Sequence, residues 1–259
     1  MANKNIAYKT NQISEYFSVN RRKWDDFYPS EKWIFERIAG SERAMGHVLD
    51  VGCAAGGLAL ALTERFSVAQ YSGVDINARA IDVAKTRKVT CSDGPCQFMC
   101  CDILEMNTLP VEGFDNVFSL SCADWNVLTE DIINHCWKYV RKGGNFVLTL
   151  RLTSEPSLRD LSESFQYIYY GDLLPENTSE IERAPYVVLN VRDALSLLTN
   201  LQPRPVCITV YGYWGTPSST ARTRYDRLVF TALAVKKSQA GAESHEIAGE
   251  FHLPVDVLL

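Results

Sequence analysis

The feature that most constrains this chain is a regular alternation, from residue 46 onward, of short apolar runs with amphipathic stretches. The apolar runs predict buried strands, and the stretches between them predict helices that cover a sheet. This alternation is typical of a parallel sheet built from β-α-β units. The predicted strands cover residues 47–51, 71–75, 97–101, 116–121 and 145–150, and the helices cover 57–66, 78–87 and 129–142.

Two later alternating runs, residues 206–213 and 227–235, predict an antiparallel pair at one edge of the sheet. The helix at 129–142 has the clearest ends, because Thr129 is expected to cap it, basic residues fill its last turn and two glycines follow. We expect one domain over residues 46–237, preceded by an aromatic-rich helical lid over 1–45 and followed by an extension over 238–259.

Composition excludes several classes of function. The chain of 259 residues has 26 Lys and Arg against 31 Asp and Glu, a net charge of −5. Because it has no basic stripe, we expect no nucleic acid as partner or substrate. No apolar run approaches the ~18 residues of a membrane span, and we see no secretory signal, so we predict a cytoplasmic protein with no membrane partner. The 8 cysteines are expected to be reduced thiols, and their spacing predicts no metal site.

The first 40 residues contain eight aromatic side chains. A disordered arm has few such residues, because each has a large apolar surface to bury. We therefore expect this segment to fold against the domain, with a helix that starts near Pro29. Core packing and a lid over a ligand both agree with this composition.

The segment VLDVGCAAGG, residues 48–57, carries the most chemical information. A strand runs into a turn of small residues and a helix follows at once, which lets a ligand approach free backbone amides. Gly52, Ala54 and Gly57 satisfy only two of the three glycines of a dinucleotide-binding turn. Asp50 would repel a pyrophosphate in this turn and suits a positively charged group such as an ammonium.

Acidic residues also end the next strands. Asp75 ends the second strand, where a carboxylate can accept hydrogen bonds from both hydroxyls of a ribose. Asp102 ends the third strand and can accept a hydrogen bond from an adenine amino group, and residues 121–126 follow the fourth strand. Because the carboxyl ends of parallel strands meet at one edge of an open sheet, we expect these groups to form one ligand site.

With these motifs in order, residues 46–150 resemble the class I S-adenosylmethionine-dependent methyltransferases of the small-molecule type. The resemblance implies an α/β fold, a Rossmann-like doubly wound sheet of seven strands in the order 3-2-1-4-5-7-6 with strand seven antiparallel. It also implies S-adenosyl-L-methionine as the cofactor. The predicted cofactor-binding residues are Asp50, Gly52, Cys53, Ala54, Gly56, Asp75, Ile76, Asp102, Ile103 and Ser121, with Trp24 and Tyr28 facing the sulfonium through cation–π contacts.

The function that follows is a transferase, a methyltransferase that moves the methyl group of its cofactor to a hydroxyl or amine of a small polar metabolite. A hydroxyl acceptor needs a general base, and Asp124, just past the fourth strand, is the carboxylate best placed for that role. A capping role near Asn126 fits Asp124 equally well. An NAD-dependent oxidoreductase, a non-catalytic methyltransferase-like scaffold and a homo-oligomeric assembly all stay open.

Overall fold

The structure, a computed structural model, describes residues 10–171, 174–239 and 246–258. Parts of the predicted lid (1–9) and of the predicted extension (240–245 and 259) therefore lie outside the described residues. The helices are α1 (Gln12–Val19), α2 (Pro29–Ala39), α3 (Gly57–Arg65), α4 (Ala78–Thr86), α5 (Thr129–Tyr139) and α6 (Val191–Thr199). None of the helices in these ranges is long and apolar enough to span a bilayer.

The strands follow the predicted alternation. They are β1 (Ala44–Val51), β2 (Ser67–Asp75), β3 (Thr90–Cys91), β4 (Gly94–Pro95), β5 (Gln97–Cys100), β6 (Phe114–Ser119), β7 (Val140–Thr153), β8 (Phe165–Tyr167), β9 (Arg183–Pro185), β10 (Leu189–Asn190), β11 (Pro205–Gly215), β12 (Ala221–Arg222), β13 (Leu228–Lys237) and β14 (Ala248–His252).

The main sheet has the order β14-β11-β13-β7-β6-β1-β2-β5, with β10 paired to β7. The strands β5, β2, β1, β6 and β7 are parallel, whereas β13 is antiparallel to both β7 and β11. Numbered along the chain, the seven strands from β5 to β11 have the order 3-2-1-4-5-7-6 with strand seven antiparallel. The predicted fold class is confirmed.

Helices cover both faces of this sheet. One apolar core includes Ile133 and Trp137 of α5 and Leu198 of α6, all at most 1% exposed. The core on the opposite face includes Phe35 of α2 and Leu62 of α3, which are fully buried. The two layers leave the carboxyl edge of the parallel strands as the place where loops and the N-terminal helices meet.

Three smaller features accompany the main sheet, and the first is the antiparallel pair β3–β4. The strands β12, β8 and β9 form a separate antiparallel sheet within the stretch that follows β7, where the sequence pattern loosens. Strand β14, which comes from the predicted extension 238–259, pairs in parallel with β11 at the edge of the main sheet. Glu250 of β14 also forms an ion pair of 2.8 Å with Arg37 of α2. The extension therefore contributes a strand to the sheet, while the domain boundaries stay a prediction.

The ends of α5 differ from the sequence prediction. Thr129 does not cap the helix, because its hydroxyl donates to the carbonyl oxygens of Ala123 and Asn126 at 3.0 and 2.6 Å. The helix ends at Tyr139 rather than at residue 142, since Val140 already pairs with β6 as the first residue of β7.

The cation at the carboxyl end of α5 comes from a distant strand. The Nζ of Lys237, which is 1% exposed, donates to the carbonyl oxygens of Trp137 and Val140 at 3.1 and 2.8 Å. Lysines near a helix carboxyl end stabilise its unpaired carbonyls. Of the basic residues predicted for the last turn, Lys138 lies there, whereas Arg141 and Lys142 belong to β7.

Candidate active site

The turn between β1 and α3 holds left-handed backbone at three positions. Gly52, Ala54 and Gly56 have φ angles of +79°, +44° and +73°. A Cβ at Gly52 would lie 2.6 Å from the Sγ of Cys122, so this position has no room for a side chain. Ala54 keeps the left-handed conformation although it has a Cβ, at a cost of about 1–2 kcal/mol. The alanine therefore leaves the geometry of the turn intact.

Asp50 is a buried carboxylate beneath this turn. It is 3% exposed, and the hydroxyl of Tyr71 donates to its Oδ2. Burial raises the pKa of Asp50 to about 7, and the Tyr71 hydrogen bond opposes that rise. Among the described residues no cationic side chain forms an ion pair with Asp50. A buried carboxylate without such a partner suits the ammonium group of a ligand.

Asp75 at the end of β2 is held by the backbone. Its Oδ1 accepts the amide N–H of Asn77 and its Oδ2 accepts that of Ala54, both at 2.8 Å. Burial raises the pKa of Asp75, and these two hydrogen bonds lower it. Each carboxylate oxygen keeps a free lone pair, so the group can accept two neighbouring hydroxyls. Asp102 is fixed similarly, because its Oδ1 accepts the amide N–H of Leu104 at 2.9 Å.

A cavity at the carboxyl edge of the parallel strands brings most of the predicted cofactor residues together. Its lining includes Asp50, Gly52, Cys53, Ala54, Asp75, Ile76, Asp102, Ile103 and Ser121. Gly56 is not part of this lining. A Cβ at Gly56 would lie 3.0 Å from the ring of Phe98 and 3.2 Å from the Cβ of Ala84. Its role in the structure is close packing of the turn against β5 and α4.

Trp24 and Tyr28, predicted to face the sulfonium, are not in the lining either. The ring of Trp24 packs against Phe66, with 5.5 Å between ring centroids, and the guanidinium of Arg65 lies 4.5 Å from it. Tyr28 is 47% exposed. The N-terminal segment instead places the aromatic rings of Phe17 and Phe27 in the lining. Phe27 is 3% exposed and lies on the opposite side of the chain from Tyr28, because consecutive residues of an extended chain point to opposite sides.

The N-terminal segment, residues 10–28, forms one wall of the cavity. Ile13, Phe17, Asn20, Arg21 and Phe27 all belong to its lining. The chain passes directly over the start of α3, since a Cβ at Gly57 would come within 2.0 Å of the carbonyl oxygen of Arg21. The glycine at position 57 therefore allows the segment to lie against the helix.

Two arginines fasten this segment. The Nη2 of Arg87 donates to the carbonyl oxygens of Phe17 and Ser18 at 3.3 and 3.0 Å, and its Nε donates to that of Ala55. One side chain thus joins the end of α1 to the turn of the cavity. Arg21 pairs with Glu31, which is fully buried, at 2.7 Å. Burial lowers the pKa of Arg21, but nearby charges, of which Glu31 contributes most, together raise this pKa above its usual value.

Asp124 lies in a short turn between the lining residues Cys122 and Trp125. It is 3% exposed, and its Oδ2 lies 3.2 Å from the Nη1 of Arg151. Its Oδ1 is buried with no hydrogen-bond partner among the described residues. Burial raises the pKa of Asp124, and the charge of Arg151 opposes that rise. The predicted base is therefore next to the cavity but is already paired with a cation.

The sequence analysis missed Tyr71, Arg21, Arg87 and Arg151. Only Arg151 had a usable signal, because it follows the apolar run of the fifth strand as Asp75 follows the second. The other three act through contacts between segments distant in sequence. The separation is 21 residues for Tyr71 and Asp50 and 70 residues for Arg87 and Phe17.

A comparison with known protein families matches the nucleotide half of the sheet. The family model described as a methyltransferase domain matches residues 48–144. The malonyl-[acyl-carrier protein] O-methyltransferase of Paenibacillus sp. (strain JDR-2) is 23% identical over 142 residues, which cover 54% of this chain and 50% of that protein. The chain spans about half the length of this curated relative.

Solved structures share the fold at low sequence identity. A S-adenosylmethionine-dependent methyltransferase from Methanosarcina mazei has a TM-score of 0.53 at 16% identity and covers 82% of this chain and 99% of its own. Phosphoethanolamine N-methyltransferase 2 of Haemonchus contortus, in complex with S-adenosyl-L-methionine, also has a TM-score of 0.53 at 16% identity. The match covers 88% of this chain and 60% of that protein. The [4+2]-cyclase SpnF has a TM-score of 0.53 at 16% identity, and the match covers 89% of this chain and 94% of SpnF.

The sheet order, the small-residue turn and the cavity at the strand ends define a Rossmann-like fold, in which such a cavity is the usual place for a nucleoside-containing ligand. The family match over residues 48–144 narrows this class. The match identifies this part of the chain as a methyltransferase domain, and the chain shares its fold with S-adenosylmethionine-dependent methyltransferases. The cofactor of such an enzyme is S-adenosyl-L-methionine. The residues of the cavity fit that cofactor, because Asp50 suits its ammonium and Asp75 can accept the hydroxyls of its ribose.

Proposed function

We propose that this protein transfers the methyl group of S-adenosylmethionine to a hydroxyl or amine of a small polar acceptor. The observation that supports this most directly is the single cavity that contains Asp50, Asp75 and Asp102 and is closed by the N-terminal segment. In this proposal Asp50 binds the methionine ammonium, Asp75 the ribose, and Asp102 with Ile103 the adenine. Two of the similar proteins have names that specify an acceptor. One acceptor is malonyl-[acyl-carrier protein], which is attached to a protein, and the other is phosphoethanolamine, a small polar molecule.

The chain contributes alignment and exclusion of water. When bound, S-adenosylmethionine supplies a methyl group on a positively charged sulfur, and the sulfur keeps the bonding electron pair when the acceptor takes that methyl group. Holding the reactants in line under a closed segment lowers the barrier by orders of magnitude. The unpartnered Oδ1 of Asp124 receives the proton of a hydroxyl acceptor.

The donor site is tested with Asp75→Ala. We expect this variant to bind S-adenosylhomocysteine about 10–100-fold more weakly in calorimetry, because it loses charge-assisted hydrogen bonds of about 1.5–3 kcal/mol. Asp82→Ala removes an exposed carboxylate of α4 and serves as the matched control. Binding of NAD in place of the methyl donor would instead identify an oxidoreductase. Donor binding without methyl transfer to any acceptor would favour a non-catalytic methyltransferase-like scaffold, or a different reaction catalysed by this fold.

The base is tested with Asp124→Asn. We expect turnover to fall by roughly 10²–10⁴-fold with little change in donor affinity, since the amide cannot accept the acceptor's proton. A rate close to that of the unchanged protein would show that the acceptor enters as a neutral amine and that alignment alone suffices. Labelled methyl transfer and donor calorimetry on the same preparation separate these outcomes.

A further inference from the structure

Arg151 at the end of β7 is a buried cation that uses only part of its guanidinium. The residue is 5% exposed. Its Nη1 donates to the carbonyl oxygens of Asp124 and Val187 at 2.9 and 3.3 Å and forms the ion pair with the Asp124 carboxylate. All three contacts are made by one of its three nitrogens.

The remaining edge of the guanidinium is free. Within the described residues, no group accepts a hydrogen bond from the Nε or Nη2 of Arg151. Neither atom is completely buried without a partner, as the Oδ1 of Asp124 is. Both therefore keep access to solvent or to a ligand. An arginine presents this edge as a planar pair of N–H donors, which matches the geometry of a carboxylate or a phosphate.

Aromatic rings fix the direction of this edge. The guanidinium carbon lies 3.7 Å from the ring centroid of Tyr186, and Tyr186 is 2% exposed. On another side it lies 5.6 Å from the ring of Trp125, which lines the cofactor cavity. Because a stacked guanidinium cannot rotate out of its plane without losing these contacts, its donors are held ready for a planar or tetrahedral anion.

The position of Arg151 along β7 places it close to residues that form the wall of the cavity. Two residues earlier on the same face of the strand, the Oγ1 of Thr149 accepts the amide N–H of Ser121 at 2.6 Å. Ser121 lines the cavity. One pleat of a strand spans about 6.6 Å, so Arg151 lies about that far from Thr149 along β7, and Arg151 itself is not part of the cavity lining.

We infer that the methyl acceptor carries an anionic oxygen group, a carboxylate or a phosphate, and that the free Nε–Nη2 edge of Arg151 binds it. The inference rests on the proposed methyl transfer and assigns the acceptor's chemical class at the same site. Asp124 holds the opposite edge of the guanidinium and is separated from the bound anion by the width of that group. The nucleophilic hydroxyl or amine of the acceptor then lies between Arg151 and the cofactor.

The test measures anion binding by calorimetry to protein saturated with S-adenosylhomocysteine, with malonate, inorganic phosphate and neutral acetamide as probes. We expect saturable one-to-one binding of malonate or phosphate and none of acetamide, and the better anion identifies the group. Arg151→Lys keeps the charge but loses the paired donors, so the anion should bind at least ~10-fold more weakly while S-adenosylhomocysteine affinity is unchanged. Arg183→Lys changes an exposed arginine that stacks on Phe165 and is the matched control.

A second variant covers a failure of folding. Arg151→Met/Asp124→Asn removes both charges of the buried pair, so neither is left unpaired, and it should abolish anion binding. Absence of saturable anion binding to the unchanged protein, or equal affinity in Arg151→Lys, overturns the inference. Failure of S-adenosylhomocysteine itself to bind overturns the proposed function instead, so the two failures are distinguishable.

Discussion

The two sides of the candidate active site are built differently, although both lie at the same edge of one sheet. On the cofactor side, Asp75 and Asp102 accept backbone amides of residues two positions further on, Asn77 and Leu104. On the side where we propose that the acceptor binds, Arg151 is held by carbonyl oxygens 27 and 36 residues away in sequence. The first side depends on local turns and the second on long-range packing.

This difference has an energetic consequence. A carboxylate at a strand end that accepts backbone N–H groups keeps these hydrogen bonds when its ligand leaves. We therefore expect its substitution to weaken ligand binding more than it destabilises the fold. The Arg151–Asp124 pair is almost completely removed from water, and either charge alone would be left uncompensated. Such pairs are costly to break and much less costly to replace as a whole.

The largest effect should come from breaking the buried pair. Arg151→Met leaves the Asp124 carboxylate without its cation and should lower the free energy of unfolding by about 3–5 kcal/mol. Arg151→Met/Asp124→Asn should recover most of that loss. Urea denaturation near pH 7 measures both, with Asp75→Ala as the cofactor-side comparison, for which we expect a much smaller change. Equal destabilisation by Arg151→Met and Asp75→Ala would contradict the division between the two sides.

The free energy of unfolding of Arg151→Met should depend on pH in a distinctive way. Arg151 lowers the pKa of Asp124, so its removal raises that pKa further above the value of about 3.9 in the unfolded chain. The folded state then binds a proton that the unfolded state does not, and its deficit in stability shrinks as the pH falls. A deficit that stays constant with pH would show that lost packing, rather than the unpaired charge, destabilises the variant.

A pH effect of intermediate size is expected on the cofactor side. The pKa of Asp50 is raised to about 7 by burial, so below that pH the carboxyl is protonated and must lose its proton to pair with an ammonium. Affinity for S-adenosylhomocysteine should fall by up to about tenfold per pH unit below 7, and again above about 8, where an α-amino group loses its charge.

Tyr71→Phe sharpens this prediction. The Tyr71 hydrogen bond lowers the pKa of Asp50, so its loss should shift the acidic limb of the binding profile to higher pH. Tyr139→Phe is the matched control, because the Tyr139 hydroxyl donates to the carbonyl oxygen of Met106 at 2.8 Å and not to a carboxylate. A profile unchanged by Tyr71→Phe would mean that another group causes the acidic limb.

The smallest effect concerns the fastening of the N-terminal segment. Arg87→Met removes the hydrogen bonds to Phe17, Ser18 and Ala55. These bonds hold the segment rather than the donor, so we expect their loss to weaken donor binding by about as much as one typical hydrogen bond, about 0.5–1.5 kcal/mol or roughly 2–12-fold. Arg79→Met on the exposed face of α4 should have no effect. Unchanged affinity in Arg87→Met would mean that the segment packs on the domain without contributing to the cofactor site.

Much of the cofactor side could be predicted because its signals are local. A strand, a turn of small residues and a carboxylate at the strand end stand within a few residues of each other, as at Asp50–Gly52 and at Asp75. Trp24 and Tyr28 show where this approach fails. Aromatic content predicted correctly that the segment folds onto the domain, but the side of the chain on which each ring lies depends on backbone conformation that composition does not specify.

By itself, the sequence determined the class of fold, the strand order expected of its family and the acidic residues that surround the cofactor cavity. These follow from hydrophobic periodicity and from the rule that parallel strands end at one edge, and both act over short stretches of chain. Only the tertiary structure decided that Arg21 and Arg87 fasten the N-terminal segment and that Arg151 lies beside Asp124, where we propose that the acceptor binds. Buried arginines need partners whose positions depend on how distant segments pack, and no local pattern encodes that packing.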